Sequence, residues 1–381
     1  MFLFSLMADL KWYPILFDSP ANAVRSAAFW LTVALAVGFV IGLFLTKNRA
    51  RFLKVSLVSA IVYSCTLIIV LLSFALKEDG IQPMIFYPLA ATCILVLLST
   101  LAYAFVSKKA PEKKKLVGIA ATILVSAAFI AALVLISVYY GKNVQDDGYY
   151  NSDTASVNQI VLYVGAIALT AIIIALSVFG DTSAKKGFDT KSLSYAGVCV
   201  AMSFALSYLR IVKLPQGGSV TIASLLPLML YAYLFGTKKG VIVGFVYGLL
   251  QAVQDPWIIH PAQFLLDYPV AFAAIGLSGI FSKAKPLDKL PQIKFALGAI
   301  VGSVMRFVCH VLSGVFAFSA YAGDQNPWAY SLAYNSFVFI DIALVIVVGI
   351  LVFSSKSFLK VTGTIGTSAE TKSKIAEADE N

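Results

Sequence analysis

Residues 158–192 read NQIVLYVGAIALTAIIIALSVFGDTSAKKGFDTKS. The stretch 158–179 carries no charged side chain and is long enough, as a helix, to cross a hydrocarbon core of about 30 Å. The thirteen residues that follow it, GDTSAKKGFDTKS, are polar and rich in turn formers. An uninterrupted apolar run closed by a basic linker is the signature of a membrane span. The same alternation repeats in both directions. It gives about eleven spans, near 27–46, 55–76, 84–106, 116–139, 158–179, 192–211, 220–236, 240–258, 262–281, 295–319 and 329–354. The composition agrees: 60% of residues are hydrophobic, 13% are charged and the mean hydropathy is +0.87. A soluble domain of this length needs far more charge to cover its surface. The expected fold is therefore all-α, a polytopic integral membrane protein.

The formal charge of +10 is distributed as a membrane protein distributes it. Most of the 29 Lys and Arg residues lie in linkers 47–54, 107–115, 180–191, 237–239, 282–294 and 355–381. The positive-inside rule then places these linkers in the cytoplasm of a cell-membrane protein, with the N-terminus outside and the C-terminus inside. No basic and aromatic interleaving of the kind that grips nucleic acid accompanies them. The N-terminal MFLFSLMADLKWYPILF lacks a basic start and a small-residue cleavage site. It reads as an interfacial segment with Trp12 and Tyr13 at headgroup level.

Linker 180–192 is the natural domain boundary. It divides an N-terminal membrane domain of about five helices (1–180), of unknown function, from a six-helix domain (181–355) and a polar cytoplasmic tail (356–381). The first domain has almost no polar residues inside its spans; the second has several. No long repeat relates the two, which weighs against an inverted-repeat carrier. Nothing suggests an enzyme. There is no GxxxxGK[ST] phosphate loop and no GxSxG elbow. The only histidines are His260 and His310, too few for most zinc or di-iron sites, and no metal is expected. Cys65, Cys93, Cys199 and Cys309 all lie in apolar runs without a CxxC pair, against both disulfides and zinc.

Polar groups inside spans are costly and are functional candidates by default. HPAQFLLDYPVAF (260–272) carries Asp267 and Tyr268 about two turns from the outer surface. VMRFVCHVLSGVFAF (304–318) puts Arg306, His310 and Gly314 on one helix face, with Phe318 a turn further out. Trp328, Tyr330, Tyr334 and Asn335 begin the last span, and Tyr247 and Trp257 belong to the eighth. An acid, a histidine, an amide and several aromatic rings suit a flat, cationic heterocycle. Plainer readings stand beside this one. Asp267 can simply neutralise Arg306, His310 can be a satisfied interhelical bonder, and the aromatics can be an interface belt. Asp341, deep in the last span, is expected to pair with another helix. On the sixth span Gly197, Ala201 and Ala205 are spaced by four, a stripe for close helix approach.

Residues from about 190 to 355 resemble the thiamine-specific S component (ThiT type) of energy-coupling factor (ECF) vitamin importers. The resemblance is carried by LPQGGSVTIASLLPL (214–228), GFVYGLLQ (244–251), HPAQFLLDYP (260–269), RFVCHVLSG (306–314) and AYSLAYN (329–335). It implies an S-component-like bundle for the last six helices and a substrate-binding subunit that captures thiamine from outside. Uptake would be driven by an ECF transmembrane coupling subunit and two ATPase subunits, with ATP used only by those partners and no cofactor in this chain. It also implies the site. Asp267 stands where the family has a pyrimidine-reading glutamate, followed by its tyrosine, Tyr268. His310, Asn335 and Tyr330 match ring-contacting positions, and Arg306 replaces a lysine. Tyr247 and Phe318 occupy positions that can be tryptophan, and Trp257 one that can be tyrosine. Gly218 falls where some members place a tryptophan lid. The small-residue stripe would meet the coupling subunit, unless it packs within this chain. Nothing in the family accounts for residues 1–180. Other readings are an S component for another vitamin or a thiamine precursor, a self-sufficient ion-coupled carrier, and a membrane enzyme using His310.

Overall fold

The computed structural model describes residues 20–45, 83–142, 152–183 and 187–355, with Phe52, Ser56, Ser59, Tyr63, Phe358 and Leu359 as isolated positions. The N-terminal segment with Trp12 and Tyr13, the expected span 55–76 and nearly all of the tail 356–381 lie outside the described residues. Among the described residues four helices precede the boundary: α1 Pro20–Leu45, α2 Pro83–Lys109, α3 Lys114–Lys142 and α4 Ser152–Phe179. Eight follow it, interrupted by one hairpin: α5 Thr190–Leu206, β1 Arg210–Lys213, β2 Ser219–Thr221, α6 Leu226–Phe235, α7 Thr237–Gln254, α8 Pro261–Asp267, α9 Pro269–Ile275, α10 Pro291–Ala317, α11 Pro327–Asn335 and α12 Phe337–Ser354.

The molecule is mostly helical, and among the described residues five stretches are long and apolar enough to cross a membrane: Tyr87–Val106, Pro111–Leu135, Val161–Phe179, Pro291–Ala317 and Pro327–Ser354. Their outward faces are the apolar ones. Leu98, Leu101, Phe105, Ile123, Ile167 and Leu351 are all exposed, as a hydrocarbon solvent permits.

Prolines set the punctuation. Pro261, Pro269, Pro291 and Pro327 each open a helix, where a missing N–H costs nothing. Pro269 also ends the helix before it, since the residue preceding a proline is pushed out of the α region; Tyr268 sits at φ −115°, ψ −87°. The expected continuous span 262–281 is thus two short helices and a 3-10 turn (Gly276–Gly279). The expected span 220–236 differs as well. Its first residues belong to β2, and only Leu226–Phe235 is helical. The strands pair antiparallel, Arg210 opposite Thr221 and Lys213 opposite Ser219, so the fold is not purely helical. The turn between them needs positive φ at Gln216 (55°) and Gly217 (90°), which glycine adopts without strain.

Two features hold the C-terminal helices together. Gly244 and Gly248, four apart on α7, lie against the backbone of Phe272 and Tyr268, where a Cβ would collide. This close approach binds α7 to α9. At the opposite end, the boundary segment is tied down by hydrogen bonds from Thr237 Oγ1 to Gly180 O (2.9 Å) and from Thr182 Oγ1 to Gly279 O (3.1 Å). Asp189 then starts α5 with a reciprocal capping box to Ser192. The N-terminal helices pack against the C-terminal ones. α4 packs on α7, α8, α9 and α10, and α2 packs on α7.

Candidate functional site

A cavity of about 120 Å³ opens where the broken helix, the hairpin and the C-terminal half of α10 converge. One wall is an acid with three partners. Asp267, at the end of α8, meets His310 Nδ1 (2.8 Å), Ser313 Oγ (2.6 Å) and Gln263 Nε2 (2.8 Å). Beside a carboxylate, Nδ1 of His310 carries the proton and donates, as do the hydroxyl and the amide. Helical spacing makes this possible. Gln263 lies one turn before Asp267 on α8, and Ser313 lies one turn after His310 on α10. His310 Nε2 is buried in the cavity wall with no hydrogen-bond partner among the described residues.

Deeper, Arg306 pairs with Asp341 (3.3 Å) and lies over the Phe272 ring (5.0 Å from its centroid). Asp341 also accepts from Thr221 N–H (3.1 Å) and Thr221 Oγ1 (2.8 Å), which ties β2 to α12. The plain reading of Asp267 as the partner of Arg306 is therefore replaced, because Arg306 is already neutralised on α12. The expectation that Asp341 pairs with another helix agrees with this geometry.

The hairpin forms the rim. Tyr334 Oη donates to Pro215 O and accepts from Gly218 N–H, so α11 holds the turn down. Asp255 binds both Arg210 (2.5 Å) and Lys213 (3.0 Å) at its base. Trp257 lies on the mouth loop after α7 and is 39% exposed. The Tyr268 hydroxyl pins that loop, accepting from Trp257 N–H (2.7 Å) and donating to Asp255 O (3.1 Å).

All nine ligand-contact residues expected from the sequence line this one cavity: Asp267, Tyr268, His310, Asn335, Tyr330, Tyr247, Trp257, Phe318 and Arg306. Several are also engaged in the scaffold. Tyr247 donates to Ser203 O (3.3 Å) and accepts from Gln251 (3.0 Å). Asn335 Nδ2 donates to His310 O (3.2 Å) and Ser331 O (2.9 Å), holding α11 against α10 where Gly314 leaves room. Among the lining residues missed are Ser313, Gln263 and, in the hairpin, Gln216, Gly217 and Ser219. Spacing could have found the first two, since each lies one helical turn from a residue already singled out.

The docking stripe is divided. Gly197 is exposed with open space above it, whereas Ala201 and Ala205 are buried inside the chain. Of the three, only Gly197 is available to another subunit. Cys93, Cys199 and Cys309 are free thiols. Among the described residues no three His, Cys, Asp or Glu side chains gather as a metal cage.

Fold and site together define a class: a polytopic helical membrane protein with a polar, aromatic-lined cavity at one end of its helices. Sequence comparison narrows it. The profile of the thiamine transporter protein family (Thia_YuaJ) matches residues 193–361. The thiamine transporter ThiT of Bacillus subtilis (strain 168) is 39% identical over 132 residues, spanning 32% of this chain and 68% of the relative. ThiT of Lacticaseibacillus paracasei is 32% identical over 140 residues, spanning 33% of this chain and 70% of the relative. No solved structure gives a significant match. The chain belongs to the thiamine transporter family, and it is a transport protein rather than an enzyme.

Proposed function

We propose that this chain is the substrate-binding subunit of an ECF-type importer and that it captures thiamine in the cavity at Asp267 for ATP-driven uptake by partner subunits. One observation carries the reading: a carboxylate held by His310, Ser313 and Gln263 at the wall of an aromatic-lined cavity. Thiamine joins an aminopyrimidine, with a donor and acceptor edge, to a permanently cationic thiazolium. The unprotonated Nε2 of His310 and the edge of Asp267 are acceptors that suit the hydrogens of the exocyclic amine. The rings of Trp257, Tyr268 and Tyr330 offer faces to the thiazolium at about 0.5–2 kcal/mol per contact. Arg306 does not oppose that cation, because Asp341 neutralises it. Family membership supports the same ligand.

The basic linkers support a cytoplasmic C-terminus and a cavity facing outward. With no phosphate loop in the sequence, ATP hydrolysis belongs to the partners, and α5 near Gly197 is the surface left open for the coupling subunit. The test is isothermal titration of the purified full chain with thiamine beside Asp267→Ala. Submicromolar binding, weakened by the substitution at least about tenfold (about 1.4 kcal/mol), is the expected result. Absence of heat and of competition by thiamine analogues would overturn the assignment.

A further inference from the structure

The acid of the cavity stands on a helix too short to hold itself. α8 spans only Pro261–Asp267, well below the length of about 12–15 residues at which a helix is marginal in isolation. It cannot lean on a continuation either, since Pro269 breaks the chain immediately after Tyr268. Its conformation must come from its neighbours, and many of them are N-terminal. Ala262 and Leu266 share a core cluster with Leu162 and Ala166 of α4. Phe264 is buried beside Ala132 of α3 and Leu89 of α2, with the Phe129 ring 6.4 Å from its own. At the start of α8, His260 caps the helix by accepting from Ala262 N–H, and its ring lies 5.1 Å from Tyr163 of α4. Gln263 and Asp267, one turn apart, are the residues of α8 that line the cavity.

We propose that the N-terminal helices α3 and α4 are a positioning part of the ligand site: they clamp α8, hold the Asp267 carboxylate against His310 and Ser313, and thereby prolong the lifetime of the bound ligand. This gives the extra domain a role in binding, and it rests on the cavity being the thiamine site. Clamping acts after the ligand is seated, so it slows dissociation far more than it changes association. Tyr163 and Phe129 are positioning residues; they touch α8, not the cavity.

The test uses the full chain and two readouts, amide hydrogen exchange over 262–268 and thiamine dissociation. Tyr163→Ala and Phe129→Ala are compared with Tyr163→Phe, which keeps the ring, and with Ile123→Ala on the exposed face of α3. In the alanine variants exchange in α8 should rise about tenfold while α12 stays protected. Dissociation should accelerate about tenfold with association changed less than about twofold. Tyr163→Phe and Ile123→Ala should match the native chain in both. Unchanged exchange in α8, a rise shared equally by α12, or faster exchange with native dissociation would each overturn the clamp. Failure of the native chain to bind thiamine, with exchange in α8 still rising locally, would refute the thiamine reading and leave the clamp on α8 supported.

Discussion

His260 shows how much can depend on one side chain at the start of α8. Its Nδ1 accepts the Ala262 N–H at 3.1 Å, which requires that nitrogen to be unprotonated, and the residue is only 4% exposed. Burial lowers its pKa to about 4. The sign of the linkage follows. Near neutral pH both folded and unfolded chains carry a neutral imidazole. As pH falls below about 6.5 the unfolded chain binds a proton that the folded chain refuses until about pH 4, so stability is lost across that window. The loss should be about 1–3 kcal/mol between pH 7 and pH 4.5. His260→Asn keeps a capping acceptor and does not titrate. Thermal midpoints of the variant should therefore fall less on acidification than those of the native chain, and parallel curves would show that His260 stays solvated. The site residues were legible in the sequence to the extent that each is an exception to its surroundings. Asp267, Arg306, His310 and Asn335 interrupt apolar runs, where an unpaired polar group is costly. Ser313 and Gln263 lie one helical turn from His310 and Asp267, a spacing that could have placed them near the site, but a small hydroxyl or an amide on a helix draws no notice by itself.

At the level of elements, a buried acid joins the hairpin at the rim to two helices. Asp341 on α12 neutralises Arg306 of α10 and accepts two hydrogen bonds from Thr221 of β2, so three elements meet at one carboxylate. Removing one member of a buried pair leaves an uncompensated charge. Asp341→Ala should destabilise the chain by about 3–5 kcal/mol, whereas Arg306→Met with Asp341→Leu should recover most of that loss. Thermal melts of the single and double variants decide it; equal losses would mean that the hydrogen bonds to Thr221, not the ion pair, carry the energy. The hairpin was hidden from sequence reading for a physical reason. Strands of four and three residues give no period to detect, and Val212, Val220 and Ile222 look like continued span. The long helices were the opposite case: runs such as 158–179 and 295–319 fix an element by length alone. The break at Pro269 was visible in principle, yet the hydrophobicity on either side of it masked two short helices as one.

For the whole molecule, the arrangement of acids bears on how transport is driven. A carrier powered by an ion gradient needs an intramembrane group free to bind and release the ion as it moves. Among the described residues, Asp341 is locked between Arg306 and Thr221, and Asp267 between His310, Ser313 and Gln263. Both acids are committed to holding the cavity together, and changing their partners would dismantle the site. The sequence contains no phosphate loop that could supply energy instead. The chain alone in proteoliposomes should therefore bind thiamine at its outward face without concentrating it inside, and an ionophore should change nothing. Addition of a coupling subunit and ATPases should produce accumulation that depends on internal ATP. Accumulation by the chain alone, abolished by collapsing the proton or sodium gradient, would reverse the argument and require one of these two carboxylates to change its partner during the cycle.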